Sequence, residues 1–382
     1  MGIKIGIDLG TDSSILAMMD ERMGQPAHIS TLMGEKSIPS VICFTEDGEE
    51  IVGSEANDMW KYGESDCVRV FDLNLEEQDP CCAFFGKQYT PEDLCAILLR
   101  HLKKEAEDST GQTVDEAVVA IPFHFHPRAC YTIMAAARKI GLNITQFINA
   151  PAVAALYYAA YHPEENARIL IYDLSCRSFQ AVVANRTTTN GLFGEQFPQF
   201  KLVGVSGDDR LGSWDWEALM FDHILNTCCE ENGLFPEDID DETRLVIRNR
   251  AQFAVKKLIC SESARVKIAV NGSLTAVCIT REEFETMTSH LVAETMSHVE
   301  DVLKQTGSAD IDAVLLVGGF TGMPVIRKAL DTRFPGKVRV HEPDFAVAKG
   351  AAVYADILSM MNHSGTDVQE QPSIGKEKER SV

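Results

Sequence analysis

The chain has 382 residues, 45% of them hydrophobic, and a formal charge of −22 at pH 7. That length suits two to three domains with a large core, and so acidic a surface repels nucleic acid and anionic membrane, which argues against both as partners. No run of about eighteen apolar residues exists to span a bilayer, and the eleven cysteines form no C-x-x-C pair, a usage that suggests free thiols in a reducing cytoplasm rather than a disulfide framework.

Residues 3–9 read as a buried strand, with no charged and apolar leader ahead of it. The turn Gly10-Thr11-Asp12-Ser13-Ser14 and a second strand from Ile15 to Met19 follow. Val41-Ile42-Cys43-Phe44 is strand-like, and residues 53–89 are less regular. Thr90 caps a helix predicted from Pro91 to Asp108, whose apolar stripe is Leu94, Leu98, Leu99 and Leu102. A strand at Ala117–Ile121 comes next, then a helix after Pro127 ending near Gly141, a strand at Thr145–Ile148 and a helix from Pro151.

The second half repeats this order. Ile169–Tyr172 is a strand leading to Asp173, a turn, and a second strand at Phe179–Ala184. A helix-rich stretch covers about 212–306. Ala313–Val317 is a strand, a helix starts near Pro324, and the strand Val338-Arg339-Val340 precedes a helix from Phe345. Ile7-Asp8-Leu9 mirrors Tyr172-Asp173-Leu174, Val118–Pro122 mirrors Leu315–Gly319, and Ala150–Ala154 mirrors the run from Pro343 to Ala348. Three matches in one order point to an internal duplication. Two α/β lobes, 1–165 and 166–360, would face each other across a cleft, the second with a helix-rich insertion at about 208–306. Residues 361–382 turn polar and are expected to be disordered.

A buried strand ending in Asp-Leu-Gly-Thr suits phosphate. Gly10 lets backbone N–H groups approach an anion, Thr11 adds a hydroxyl, and Asp8 can hold Mg²⁺ through its waters. An ordinary hairpin is the competing reading. Gly318-Gly319 after a buried strand permits either a flat ligand or tight packing.

Taken together, Gly6–Thr11, Ile38–Val41, Gly141–Asn149, Ile171–Leu174, Gly207-Asp208 with Leu211-Gly212, Leu316–Gly319 with Met323-Pro324, and Pro343 to Ala352 resemble the nucleotide-binding domain of the seventy-kilodalton heat-shock chaperones of DnaK type. The resemblance runs from residue 3 to about 358. It implies an α/β actin-like ATPase fold, with two duplicated ribonuclease-H-like lobes around a central nucleotide cleft that takes ATP or ADP with Mg²⁺. Asp8 and Asp173 would be the metal-holding and candidate catalytic residues. Gly10, Thr11, Asp12, Arg177 and Ser178 would face phosphate, and Lys256, Gly318, Gly319, Phe320 and Asp344 adenosine. Partners would be proteins, co-chaperone-like or clients.

The departures fall at the catalytic positions. Where the family's second phosphate loop has three glycines and a second carboxylate, this chain has Ser175-Cys176-Arg177 and Gln180. Ala150 stands for the family's catalytic Glu, Asn74 for its phosphate-binding Lys, Asp12 for a Thr, Ile259 for a Ser, and Cys130 for the coupling Arg. Phe320 could stack on a base or block the pocket. Single stabilising groups of this kind are worth roughly 3 kcal/mol, so these losses together predict a degenerate ATPase that acts through protein contacts. A working ATPase using Asp8, Asp12, Asp173 and Arg177 is the alternative, and a sugar or small-acid kinase of the same superfold ranks third. The chain reaches Val382 without the family's leucine-rich linker or peptide-binding domain, so ATP-gated peptide capture is not expected of it. His124 and His126 read as surface or packing residues rather than metal ligands, and Trp214 and Trp216 as packing. The acidic run at 236–242 reads as a solvated loop.

Overall fold

Short Val-, Ile- and Ala-rich runs, each broken by turn residues, form the strands of two main sheets in a computed structural model that describes residues 2–20, 22–64, 66–122, 125–162, 167–190 and 196–363. The first half runs β1 (Ile3–Leu9), β2 (Ser13–Asp20), β3 (Gln25–Ile29), β4 (Ile38–Pro39), β5 (Val41–Phe44), β6 (Glu50–Val52), α1 (Ser54–Lys61) and β7 (Cys67–Arg69). After a 3-10 turn at Val70–Asp72 come β8 (Cys82–Phe84), β9 (Lys87–Tyr89), α2 (Pro91–Thr110), β10 (Val114–Ile121), α3 (Pro127–Lys139), β11 (Asn143–Asn149) and α4 (Ala150–Tyr161). The second half runs β12 (Arg168–Leu174), β13 (Phe179–Asn190), β14 (Gln196–Asp208), α5 (Ser213–Asn232), α6 (Asp241–Cys260), β15 (Ser263–Val270) and β16 (Ser273–Thr280). It ends with α7 (Arg281–Met287), α8 (Ser289–Gln305), β17 (Ala313–Val317), α9 (Pro324–Arg333), β18 (Val338–Val340) and α10 (Ala346–His363).

The duplication is present in the topology. One sheet has the order β11-β10-β1-β2-β3 and the other β18-β17-β12-β13-β14. In each, the lead strand pairs antiparallel with the next strand and parallel with a later one. Asp8 and Asp173 occupy the same place, the sixth residue of a seven-residue lead strand. Asp8 lies between Ala120 and Ile15, and Asp173 between Val317 and Gln180.

Each half buries its own core, around Ile5, Leu98 and Ile133 in the first and Trp216, Phe284 and Val299 in the second. A third cluster joins them, with Val153 and Ala154 of α4 and Ala351 and Ala355 of α10 packed between strands of both sheets. The two helices cross closely. A Cβ on Gly350 would lie 2.0 Å from the Val153 carbonyl oxygen, and one on Gly6 2.3 Å from Ala352 N. Only hydrogen fits at either position.

Several expectations need correction. α2 has the predicted Thr90 cap, completed as a capping box by Asp93, but runs on to Thr110. β13 extends to Asn190 and pairs with the long β14, which the sequence reading omitted. The stretch read as helix-rich contains the hairpin β15–β16, closed by Asn271-Gly272 at φ 48° and 79°. That two-residue loop is the favoured tight hairpin connection. α10 continues through His363, past the expected change of character at 361; residues 364–382 lie outside the described residues. The cysteine reading fails at one pair: Cys43 on β5 and Cys67 on β7 form a disulfide, while the other nine cysteines are free.

Candidate functional site

The ends of β1 and β12 bring Asp8 and Asp173 close enough for the charge of one to act on the other. Burial pushes the Asp8 carboxyl up to about 7, and the neighbouring charge of Asp173 adds to that rise. Asp173 is likewise raised to about 7 by burial, opposed by a hydrogen bond from Ser175 Oγ to its Oδ1 at 3.3 Å. Two desolvated carboxylates, the charge of one raising the proton affinity of the other, form a place where a cation is stabilised.

In the first turn, a Cβ on Gly10 would lie 2.4 Å from the Ser13 carbonyl oxygen, so the turn requires glycine. Buried Ser40 fixes it from behind: its hydroxyl donates to Gly10 O at 3.0 Å and its N–H to Asp12 O at 3.0 Å. The Ser40 carbonyl accepts from Val70 N at 3.1 Å, which ties the start of the 3-10 turn to the same point.

The second turn is different. Ser175 N–H donates to Ser178 O at 3.0 Å, so the turn closes on itself. Cys176 O accepts from Trp214 N at 3.0 Å, and a Cβ on Gly212 would lie 2.2 Å from the same oxygen. The turn is therefore pressed onto the start of α5. Arg177 turns back across the cleft, with Nη2 at 2.7 Å from Asp72 Oδ1 and its Cζ 4.3 Å from the Trp214 ring centre.

Arg69 completes this arrangement. It is 5% exposed, pairs with Asp12, and places its guanidinium 4.8 Å from both the Trp60 and Trp214 ring centres. Trp60, Arg69, Trp214 and Arg177 thus alternate ring and cation from the first lobe to the second. Such contacts are strongest when withdrawn from water. Beside the stack, Gly63 approaches Leu245 of α6, with 3.7 Å from an ideal Cβ to Leu245 Cδ2.

At the turn expected from the sequence to face adenosine, Gly318 has φ 89°, and a Cβ there would lie 2.3 Å from the Leu174 carbonyl oxygen. Gly319 abuts Asp344, at 2.2 Å from an ideal Cβ to Asp344 Oδ1. Burial raises the Asp344 carboxyl, an effect opposed by Lys36. Phe320 is half-buried and packs on Trp216 of its own lobe, ring centres 5.2 Å apart. Lys256 is exposed on α6 and acts electrostatically on Glu217, whose carboxyl burial raises.

Of the sequence-derived positions, Asp8 and Asp173 come together, as do Gly319 and Asp344. Asp12 and Arg177 are instead engaged by Arg69 and Asp72. Arg69, Trp60, Asp72 and Glu217 were absent from the sequence-derived set, and Trp214 was assigned to packing alone. A carboxylate in the first turn was the available signal, since Asp12 needs a nearby cation. His126 accepts from Arg128 N as the cap of α3 and lies 3.5 Å from Glu76, whereas His124 falls outside the described residues. Among the described residues, no group of three or more His, Cys, Asp or Glu side chains is placed to hold a metal, and no helix is long and apolar enough to cross a membrane.

Part of this site fits Mg-nucleotide and part fits it less well. The Asp8–Asp173 pair suits a hydrated Mg²⁺, which is commonly held through its waters by one or two carboxylates. The first turn retains its glycine. The second turn fits an anion less well: it has no glycine at 175–177 to let backbone N–H groups approach closely, and Arg177 points to Asp72. A family model described as Hsp70 protein matches residues 4–71 and 68–370.

Proposed function

The chain belongs to the Hsp70 protein family, and on that premise we propose that it is a degenerate ATPase of the actin-like fold that works through protein partners. Turnover is very slow or absent, and nucleotide binding is weak. The observation carrying this reading is the second turn, closed on itself by Ser175 and Ser178 while Arg177 bridges to Asp72 and Trp214. The absence of a carboxylate at Ala150 and a lysine at Asn74 supports it independently.

Should nucleotide enter, Asp8 and Asp173 would hold Mg²⁺ through its water shell, with Gly10 and Thr11 facing phosphate. The metal would supply charge neutralisation for the phosphates. Gly318, Gly319, Asp344 and Lys256 would border the adenosine. The lobes are taken to divide near residue 165, with the excursion α5–α8 belonging to the second. Nine free cysteines favour the cytoplasm, and co-chaperone-like or client proteins are the partner class.

The second reading, a working ATPase with altered phosphate ligands, draws on the retained Asp8–Asp173 pair. Isothermal titration with ATP and ADP, with and without Mg²⁺, followed by a turnover assay, separates the two. Weak binding without turnover is expected. Mg-dependent hydrolysis at the rate of ordinary family members would overturn the proposal.

A further inference from the structure

We propose that Cys43 and Cys67 form a reversible redox site, whose disulfide holds the cleft-spanning Arg69–Trp214–Arg177 stack closed and whose reduction by a small dithiol loosens it. This inference rests on the reading of that stack as a closure.

The placement carries the argument. Cys43 and Cys67 are directly opposed in the antiparallel pairing of β5 with β7, their Cα atoms 4.0 Å apart. That register sets the two sulfurs side by side, so after reduction the bond can reform by exchange with a small disulfide, which is itself reduced to two thiols. In the sheet order β6-β5-β7, the three-residue β7 is an edge strand bonded to β5 alone. A strand so short has few ladder bonds, so the cross-link adds to the backbone bonds that flank it, from Phe44 N to Asp66 O and from Val70 N to Ser40 O.

β7 also ends at the site. Arg69 is its last residue, paired in register with Val41, and Asp72 follows within the next turn. Both residues through which the first lobe meets the second-lobe side chains Trp214 and Arg177 thus hang from the cross-linked strand. Of the free cysteines, Cys260 and Cys278 are exposed and Cys81 half-buried, and none of the three lies on β5 or β7. Burial raises the thiols of Cys82, Cys95 and Cys176 to about 12, and those of Cys130 and Cys228 to about 11, so they are poor nucleophiles. Cys67 is half-buried and within reach of a reductant, whereas Cys43 is fully buried.

The chemistry balances. A reductant thiolate attacks Cys67 Sγ, the S–S bond breaks, and the electron pair leaves on Cys43 Sγ, which takes a proton. The Ala56 carbonyl oxygen, 3.2 Å from Cys43 Sγ, is an acceptor for that thiol. The second thiol of the reductant then attacks the mixed disulfide, releasing Cys67 as a thiol and the reductant as its cyclic disulfide.

Two of the chain's three tryptophans, Trp60 and Trp214, lie in the stack, and the third, Trp216, is fully buried. Acrylamide quenching of tryptophan emission therefore reads closure. The intact chain would be mildly oxidised, checked by non-reducing peptide mapping, then compared before and after dithiothreitol. We expect a linked Cys43–Cys67 peptide and about a twofold rise in quenching on reduction, as for a locally opened segment. Cys67→Ser, with Cys67→Val as the better strand former if the serine variant is unstable, should quench like reduced protein and ignore dithiothreitol. Failure to find the linked peptide, unchanged quenching on reduction, or a Cys67 variant that still responds would each overturn the proposal. Oxidised Arg177→Ala provides the separate control: if its quenching does not rise, the closure reading fails, while peptide mapping still reports on the disulfide.

Discussion

Arg69 is a buried cation that pairs with half-exposed Asp12 and lies against the rings of Trp60 and Trp214. Removing it takes away the ion pair with Asp12 and both cation–ring contacts and leaves a cavity between two indoles, so Arg69→Ala should lower stability by about 2 kcal/mol in urea denaturation. Arg177→Ala should cost less, about 1 kcal/mol, because the pair with Asp72 is one-third exposed on both sides. Asp8 and Asp173 have the opposite character. The folded state keeps their protons up to about pH 7, whereas an unfolded Asp ionises near pH 4. Their contribution to stability is thus fullest in acid and falls as the pH rises from about 4 through 7. The melting temperature of Asp173→Asn should accordingly show a flatter profile between pH 5 and 8 than wild type and lie above it at pH 8. A variant that tracks wild type across that range would show that the pair is not desolvated.

Among the elements, the α4–α10 crossing is the least tolerant of change. Gly350→Ala would drive a methyl into the Val153 carbonyl, and about 3 kcal/mol of destabilisation is expected by thermal denaturation. This crossing also shows how far the sequence could be read. The repeated order of strand, Asp, turn and helix was visible because apolar runs and glycines mark it locally, and it led correctly to two similar lobes. β15–β16 was equally visible: Ala264, Val266, Ile268 and Val270 alternate and are buried, with Asn271-Gly272 beyond them. It was hidden only by the helices on either side. The Trp60–Arg69–Trp214–Arg177 stack belongs to another class. Its members come from four separate elements or turns, no periodicity links them, and only the folded chain brings them together. The disulfide was missed for a related reason, since opposition of Cys43 and Cys67 depends on a strand register that spacing does not reveal.

For the whole molecule, the lobes are joined at the crossing helices and again at the aromatic stack. On the degenerate-ATPase proposal, which sets Ala150 and Asn74 at the positions of a catalytic carboxylate and a phosphate-binding lysine, opening the second junction should admit nucleotide without restoring chemistry. The double variant Trp214→Ala/Arg177→Ala is expected to bind MgADP about tenfold more tightly than wild type, a gain near 1.4 kcal/mol, with turnover unchanged. Tighter binding accompanied by hydrolysis would favour the working-ATPase reading. The duplicated topology has one more use. Asp8 and Asp173 are the same backbone position cast twice, with Ile15 beside one and Gln180 beside the other. The chain therefore contains its own matched comparison: any substitution made in one copy can be repeated in its twin, and the difference between the two results measures what divergence of the surroundings has done.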